Sequence, residues 1–387
     1  MKNVVIIDAV RTPVARAHTK KGWFRNIRSD ELGVLAVKGL IERVGIDPAE
    51  IEDVILGCAT QVGEQAMNVA RYIAIMAGLP FEVGGQTINR QCASGMTAIH
   101  AAAQAITSGC GEVIIAGGIE SMTHLPEGFG SDLNPRRFDF VDPTAASMGL
   151  AAENLAEMYD ISRKEQESFA LRSHQKAVAA QKAGRFADEM IPVEIVEDDG
   201  SRRIIDRDQN PRPYTSLEMM ATFNPIAKPD GTITSATVSF ASDGATALLL
   251  ASEEKANSLG LKPKARIRSM AVAGVDPKIT GYGTVAAARK ALDRAGLTID
   301  DIGIAEINEA FSVVAQVCIK ELKINEERVN PNGGAVALGH PMGCSGAKLV
   351  TNLVHEMERA QTRFGLATVG VGMGQGVATV LERIDFS

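Results

Sequence analysis

Aromatic residues are scarce in this chain of 387 residues: Phe, Tyr and Trp make up 4% of it, with a single Trp. The core must therefore be mostly Ala, Val, Ile, Leu and Met. Positive charge is not in excess either. The formal net charge is −7, which argues against a general nucleic-acid or anionic-membrane binder. No apolar stretch approaches the roughly 20 residues that span a bilayer. Met1-Lys2-Asn3 leads straight into the strand-like 4–7, without the charged and apolar regions of a secretion signal. The five cysteines (Cys58, Cys92, Cys110, Cys318 and Cys344) are odd in number, scattered and free of CxxC pairs. A disulfide framework and a structural zinc site are both disfavoured, so the expectations are no metal and a cytoplasmic location.

What is present is the alternation of an α/β protein. Short apolar runs (4–7, 51–57, 112–118) alternate with helical spacing (30–43, 68–78, 96–108), and Gly45 gives a stop signal. From about 120 to about 238, turn residues, prolines and charges dominate. Amphipathic helices interrupt them, the clearest beginning with a capping box at Ser162 and Glu165 and running to about 183. The α/β grammar resumes at 246–251, 265–275 and the helix 283–295. This predicts an N-terminal half over 1–119, completed by about 240–262, an insertion or lid over 120–239, and a C-terminal half over 263–387. The two halves echo each other. Gly45-Ile46-Asp47 resembles Gly296-Leu297-Thr298, and Ser94-Gly95 resembles Ser345-Gly346, both at a separation of 251 residues. Strand 112–118 finds its counterpart in 365–372, with a couple of residues inserted.

Chemistry-bearing residues collect in four glycine-rich or turn contexts. Cys92 lies in Asn89-Arg90-Gln91-Cys92-Ala93-Ser94-Gly95, at the start of a helix, where free N–H groups and the helix dipole favour an anion and lower a thiol pKa. A lone cysteine is by default a buried structural residue, so partners are needed. Asn308-Glu309-Ala310-Phe311 ends a predicted strand. His340 sits between Gly339 and Pro341 in a glycine-dense loop, a fair setting for a general base. The 251-residue offset places Cys92 and the Gly343 loop at equivalent points, which face each other if the halves pack. A Cys–His pair amid backbone N–H groups suits acyl transfer through a thioester.

NRQCASG, NEAF, GGAVALGHPMGCSG and GVGMGQG, in this order and spacing, resemble the thiolase family, closest to 3-ketoacyl-CoA thiolases and acetyl-CoA acetyltransferases. The resemblance covers nearly the whole chain. It implies a five-layered α-β-α-β-α sandwich of two pseudo-symmetric halves with a loop domain over the coenzyme A site. It makes Cys92 the acyl-carrying nucleophile, and His340 the group that activates it. With Asn308 holding a water, His340 also binds the thioester oxygen. The backbone N–H groups of Cys92 and Gly372 form a second oxyanion hole. Ser239 matches a serine on the pantetheine arm, and Met148 a methionine lining the acyl pocket. Acyl-CoA and CoA would be the binding partners, with no further cofactor. A homodimer or homotetramer, and association with a β-oxidation partner subunit, complete the expectation.

One departure bears on the chemistry. Family members carry a second catalytic cysteine, an acid–base group for the α-carbon, where this chain has Gly370. Asn224-Pro225, Ala236-Thr237 and Ser147 also differ from the usual residues around the substrate channel. Three functions follow for testing: a thiolase-type acyltransferase with reduced or rerouted α-proton chemistry, a thioesterase or acyltransferase without C–C chemistry, and a non-catalytic acyl-CoA-binding subunit.

Overall fold

The computed structural model describes residues 2–126 and 133–384; positions 127–132 of the expected insertion, and the terminal positions 1 and 385–387 of the expected halves, lie outside it. Strand β1 (Val4–Arg11) is buried throughout, and a two-residue β2 (Ala15–Arg16) follows. Helix α1 (Ser29–Val44) ends at Gly45 in the left-handed region, φ 70°, the expected glycine stop. Then come β3 (Asp53–Gly57), α2 (Val69–Met76), β4 (Gln86–Ile88), α3 (Ser94–Ser108) and β5 (Val113–Glu120).

The stretch that follows holds α4 (Met148–Met158), α5 (Arg163–Lys182), the hairpin β6 (Val193–Val196) and β7 (Arg202–Ile205), and α6 (Leu217–Ala221). The capping box at Ser162 and Glu165 is formed at the start of α5. Arg11 ties this stretch to β1: its buried guanidinium bonds Glu189 at 2.6 Å and Asp208 at 2.7 and 3.0 Å. The core then resumes with β8 (Ser242–Ser252), α7 (Glu253–Ser258), β9 (Ala265–Gly274), α8 (Gly283–Ala295), β10 (Ile302–Ile307) and α9 (Ser312–Leu322). It closes with α10 (Ala335–Leu338), α11 (Met342–Ala360), β11 (Phe364–Val371) and β12 (Gln375–Arg383).

The strands form one path, β10-β11-β12-β9-β1-β8-β5-β3-β4, with β2 beside β8. Its two ends mirror each other around the antiparallel joint of β1 with β9, made at Val5–Arg266 and Ile6–Ala265. The counterpart of β4 in the second half shrinks to a single bridge, Ala305 to Val329. Strands β5 and β11 correspond at a separation of 251 residues at both ends, so the insertion expected between them is absent. Gly296 ends α8 as Gly45 ends α1, at φ 68°.

Side chains alternate across each strand and sort into three apolar clusters. Val5, Ile7, Val54, Leu56 and Leu249 pack on α1 and α2. Ala305, Leu366 and Val380 pack on α8 and α9. The opposite faces (Ile6, Ile114, Leu248, Ala367, Val369) enclose α3 and α11. The layers are therefore α-β-α-β-α, the sandwich expected from the motifs. No helix among the described residues is long and apolar enough to cross a membrane.

Helices α3 and α11 cross at the repeated Ser-Gly pairs. A Cβ on Gly95 would lie 2.9 Å from Ala347 Cβ and from Gly343 O, and one on Gly346 2.7 Å from Met96 N. Backbone atoms cannot yield as a flexible side chain can. Gly95→Ala and Gly346→Ala are each expected to destabilise the fold by about 1–3 kcal/mol, as overpacking does. Urea unfolding midpoints check this, and unchanged midpoints would refute the tight crossing.

Candidate active site

Cys92 lies in a single 3-10 turn, Gln91–Ala93, immediately before α3. Neighbouring polar groups build the turn. Asn89 Oδ1 accepts the Gln91 N–H at 2.8 Å. Ser94 Oγ accepts the Arg90 N–H at 2.9 Å and donates to Gln91 O at 2.6 Å. These bonds hold Gln91 at φ 45°, a left-handed conformation unusual for a residue with a side chain. The turn packs against α11 and the end of β11. A Cβ on Gly372 would fall 2.2 Å from Gln91 Oε1, so a side chain there would push the Gln91 amide aside. The N–H groups of Cys92 and Gly372 reach no acceptor on another described residue.

The pKa expected for Cys92 is corrected by its burial. Placement at a helix start predicts a lowered value, yet desolvation pushes the thiol up to about 12, and the nearby Glu120 carboxylate adds to the rise against the help of its own N–H. The resting sulfur is a neutral thiol that needs a base.

His340 is buried in the loop between α10 and α11. Its N–H donates to Phe240 O at 2.9 Å. Ser345 Oγ donates to Pro341 O at 2.9 Å and contacts His340 Nδ1 at 2.6 Å. With the serine hydrogen on Pro341, Nδ1–H donates to Oγ, and Nε2 keeps its lone pair. Nε2 is buried without a partner among the described residues. Burial, with the Lys348 charge second, lowers the imidazole to about 4, so at neutral pH it rests as a free base.

Asn308 follows β10, and its N–H donates to Thr368 O at 2.9 Å. Its buried Nδ2 has no partner among the described residues, a second polar group left open. Glu309, which sequence reasoning left unassigned, knits the surrounding loops. It accepts from Ser173 Oγ and Asn330 Nδ2, both at 2.7 Å, and from Val336 N at 3.1 Å. Ser239 N and Oγ both donate to Ala310 O, at 3.0 and 3.1 Å. The 237–241 segment thus spans the Asn308 and His340 loops, bridging to Phe311 on one side and His340 on the other. Met148 starts α4, half-buried against the second-half cluster that includes Phe311 and Val238. Gly370 pairs with Gly376 on β12. A Cβ there would meet Thr284 Cγ2 at 3.4 Å and Gly281 O at 3.7 Å, ordinary contacts. Cys344 is buried with its Sγ 2.9 Å from Thr246 Oγ1. Sequence reasoning had flagged Ser345 only as half of a repeated pair; its bond to His340 had no local signal.

The His340 shift gives a pH signature. An unfolded histidine protonates near its ordinary value of 6.5, the folded one only near 4. Between these values acid favours the unfolded state, so this contribution to stability is complete above pH 6.5 and lost as pH falls toward 4. His340→Asn is expected to flatten the decline of stability over that window by up to about 1.4 kcal/mol per pH unit. Denaturation of both proteins across the window checks the difference, and identical slopes would show that His340 is not buried as a neutral base.

Comparison with known proteins places these loops in context. Residues 4–254 match the thiolase N-terminal domain, and residues 261–383 the thiolase C-terminal domain. The chain is 47% identical to a 3-ketoacyl-CoA thiolase of Vibrio vulnificus, over 99% of this chain and 100% of that one. A 3-ketoacyl-CoA thiolase of Shewanella loihica is 49% identical with the same coverage. The crystal structure of the Bacillus anthracis acetyl-CoA acetyltransferase superposes with a TM-score of 0.92 at 40% identity, covering 99% of both chains. Human mitochondrial 3-ketoacyl-CoA thiolase gives a TM-score of 0.92 at 34% identity, again over 99% of both. With both domains matched and near-complete relatives at almost half identity, this chain belongs to the thiolase family.

Proposed function

We propose that the chain is an acyl-CoA acyltransferase that cleaves or forms 3-ketoacyl-CoA through an acyl-Cys92 intermediate. The observation that carries this reading is the set of groups left open, among the described residues, on the loops that leave β10 and β11 and enter α3 and α11: His340 Nε2, Asn308 Nδ2 and the N–H groups of Cys92 and Gly372. In the cleavage direction Nε2 takes the Cys92 proton, and Sγ attacks the C3 carbonyl. The C2–C3 bond then breaks, leaving acyl-Cys92 and the enolate of acetyl-CoA, which takes a proton at C2. That proton comes from a water, which recovers one from His340 and so restores the imidazole; a free CoA thiol then attacks the thioester, and its proton passes by way of His340 to the departing Cys92 sulfur. The free N–H pair holds the acyl carbonyl oxygen, and Asn308, with a water and His340, holds the CoA thioester oxygen. No cofactor beyond the CoA thioester enters this scheme.

The CoA arm would pass Ser239, with Met148 against the acyl chain and the 120–239 insertion as lid. Arg212 supports this path: its guanidinium stacks over Phe240 at 4.3 Å, and neither it nor Arg16 has a carboxylate partner among the described residues. Both are available to CoA phosphates. The exposed apolar face of Met67, Tyr72 and Phe81, 77%, 52% and 79% exposed, suits self-association beside the edge strand β4. Light scattering is expected to give at least twice the 41.0 kDa of one chain, and Phe81→Asp to reduce it. A monomeric wild type would refute this assembly.

Gly370 sets how the α-carbon is served. Without a side chain it carries no proton, and Cys344 is already bonded to Thr246, so a water is left to protonate the enolate. Incubation with acetyl-CoA is expected to label Cys92 by mass spectrometry, and 3-ketoacyl-CoA with CoA to yield slow thiolysis. Gly370→Cys, for which there is room, should speed C–C cleavage by about 10²-fold or more, as a placed acid–base group does, and leave acylation unchanged. Absence of an acyl-Cys92 adduct would sink the proposal. An adduct that only hydrolyses, with no thiolysis in either protein, would favour the thioesterase reading that Gly370 also permits.

A further inference from the structure

Glu120 ends β5, is fully buried, and has no part in the chemistry above. One carboxylate oxygen accepts from Gly343 N at 2.8 Å and Ala59 N at 3.0 Å; the other accepts from Gln65 Nε2 at 2.7 Å and Thr60 N at 3.2 Å. Three of these donors are backbone groups, so the carboxylate fixes chain positions. Gly343 is in the first turn of α11, three residues beyond His340, where the helix dipole favours an anion. Ala59 is held from its other side. Its carbonyl accepts from Asn89 Nδ2 at 2.9 Å, and Asn89 Oδ1 accepts the N–H of Gln91, next to Cys92. An unbroken run of bonded groups leads from the Cys92 turn through Asn89, Ala59 and Glu120 to the start of the His340 helix.

The repeat shows what this carboxylate changes. The separation of 251 residues pairs Gly343 with Cys92 and Glu120 with Val371. At one helix start the N–H of Gly343 is closed off by Glu120. At the other, the N–H of Cys92 has no acceptor on another described residue, and the valine side chain in Glu120's place can accept nothing. The pseudo-symmetry is broken where one half must be rigid and the other open to a ligand.

We propose that Glu120 is a positioning residue of the acyl-transfer site, its carboxylate clamping the start of α11 to the 58–60 loop so that His340 is held in line with the Cys92 thiol. The inference rests on the reading of His340 as the base for Cys92. Geometry and charge act here in opposite directions. A carboxylate near Cys92 opposes the thiolate, so removing its charge alone makes the thiol more acidic and more reactive. Losing the clamp displaces the base and makes Cys92 less reactive.

The test is alkylation of Cys92 by iodoacetamide at neutral pH in the full chain without acyl-CoA, followed by peptide mass spectrometry. Glu120→Gln presents an amide NH2 to two of the N–H donors. It is expected to slow alkylation by about 10-fold or more, within the loss a small misplacement of a catalytic group produces. Gln65→Leu removes one donor, costs stability by a similar route, and leaves the rate near wild type. A rate for Glu120→Gln at or above wild type, or an equal slowing in Gln65→Leu, would overturn the clamp. If Glu120→Gln does not fold, Glu120→Asp keeps the charge and shortens the reach; it should also be slow, and an unchanged rate would overturn the proposal. His340→Ala separates the two readings. If it alkylates like wild type, the base assignment falls and the clamp with it; if it is slow and Glu120→Gln is not, only the clamp falls.

Discussion

Two helix starts, those of α3 and α11, meet at the middle of the molecule, each setting a glycine against the other's backbone. Everything functional hangs on that approach. Gly95 and Gly346 let backbone reach backbone, and each helix carries a chemical loop at its N-terminus, Cys92 on one and His340 on the other. The sheets on either side bury the pair from both directions, so α11 is covered from Gly343 to Met357. A larger residue at the crossing would separate the loops by the width of a methyl group, more than proton transfer between placed groups tolerates.

Burial on that scale changes the electrostatics of the site. A helix N-terminus stabilises an anion by a modest amount, whereas desolvation of a fully enclosed thiol outweighs it. Cys92 and His340 are therefore both neutral at rest, with values driven apart to about 12 and about 4. In the proposed reaction, reactivity becomes a property of the pair. The open N–H groups add to this by stabilising charge only where a substrate oxygen arrives, which is the condition for favouring a transition state over a ground state.

Much of the architecture was legible because it is periodic. Strand runs and helical spacing located α1, α8 and β5 to within a residue or two, and Gly45 and Gly296 marked two helix ends by their need for positive φ. The repeat offset was readable from Gly45-Gly296 and Ser94-Ser345. It held so strictly at β5 and β11 that the expected insertion vanished. Residues with open polar atoms, His340 and Asn308, had been singled out from their glycine-rich or turn settings. Their supports had not. Glu309 and Glu120 act through partners 21 and 223 residues away, which no local pattern announces, and Ser345 reaches His340 five residues back only through the turn that starts α11.

The sequence by itself determined the two-fold repeated α/β plan, the family motifs and the identity of the thiol and imidazole, because these depend on short-range spacing and residue type. Tertiary structure alone decided the charge state of Cys92, the tautomer of His340 and the joint of β1 with β9. It also decided which helix start is closed by Glu120 and which stays open. Burial and hydrogen-bond partnership are relations between segments hundreds of residues apart, and they exist only once the two halves have closed on α3 and α11.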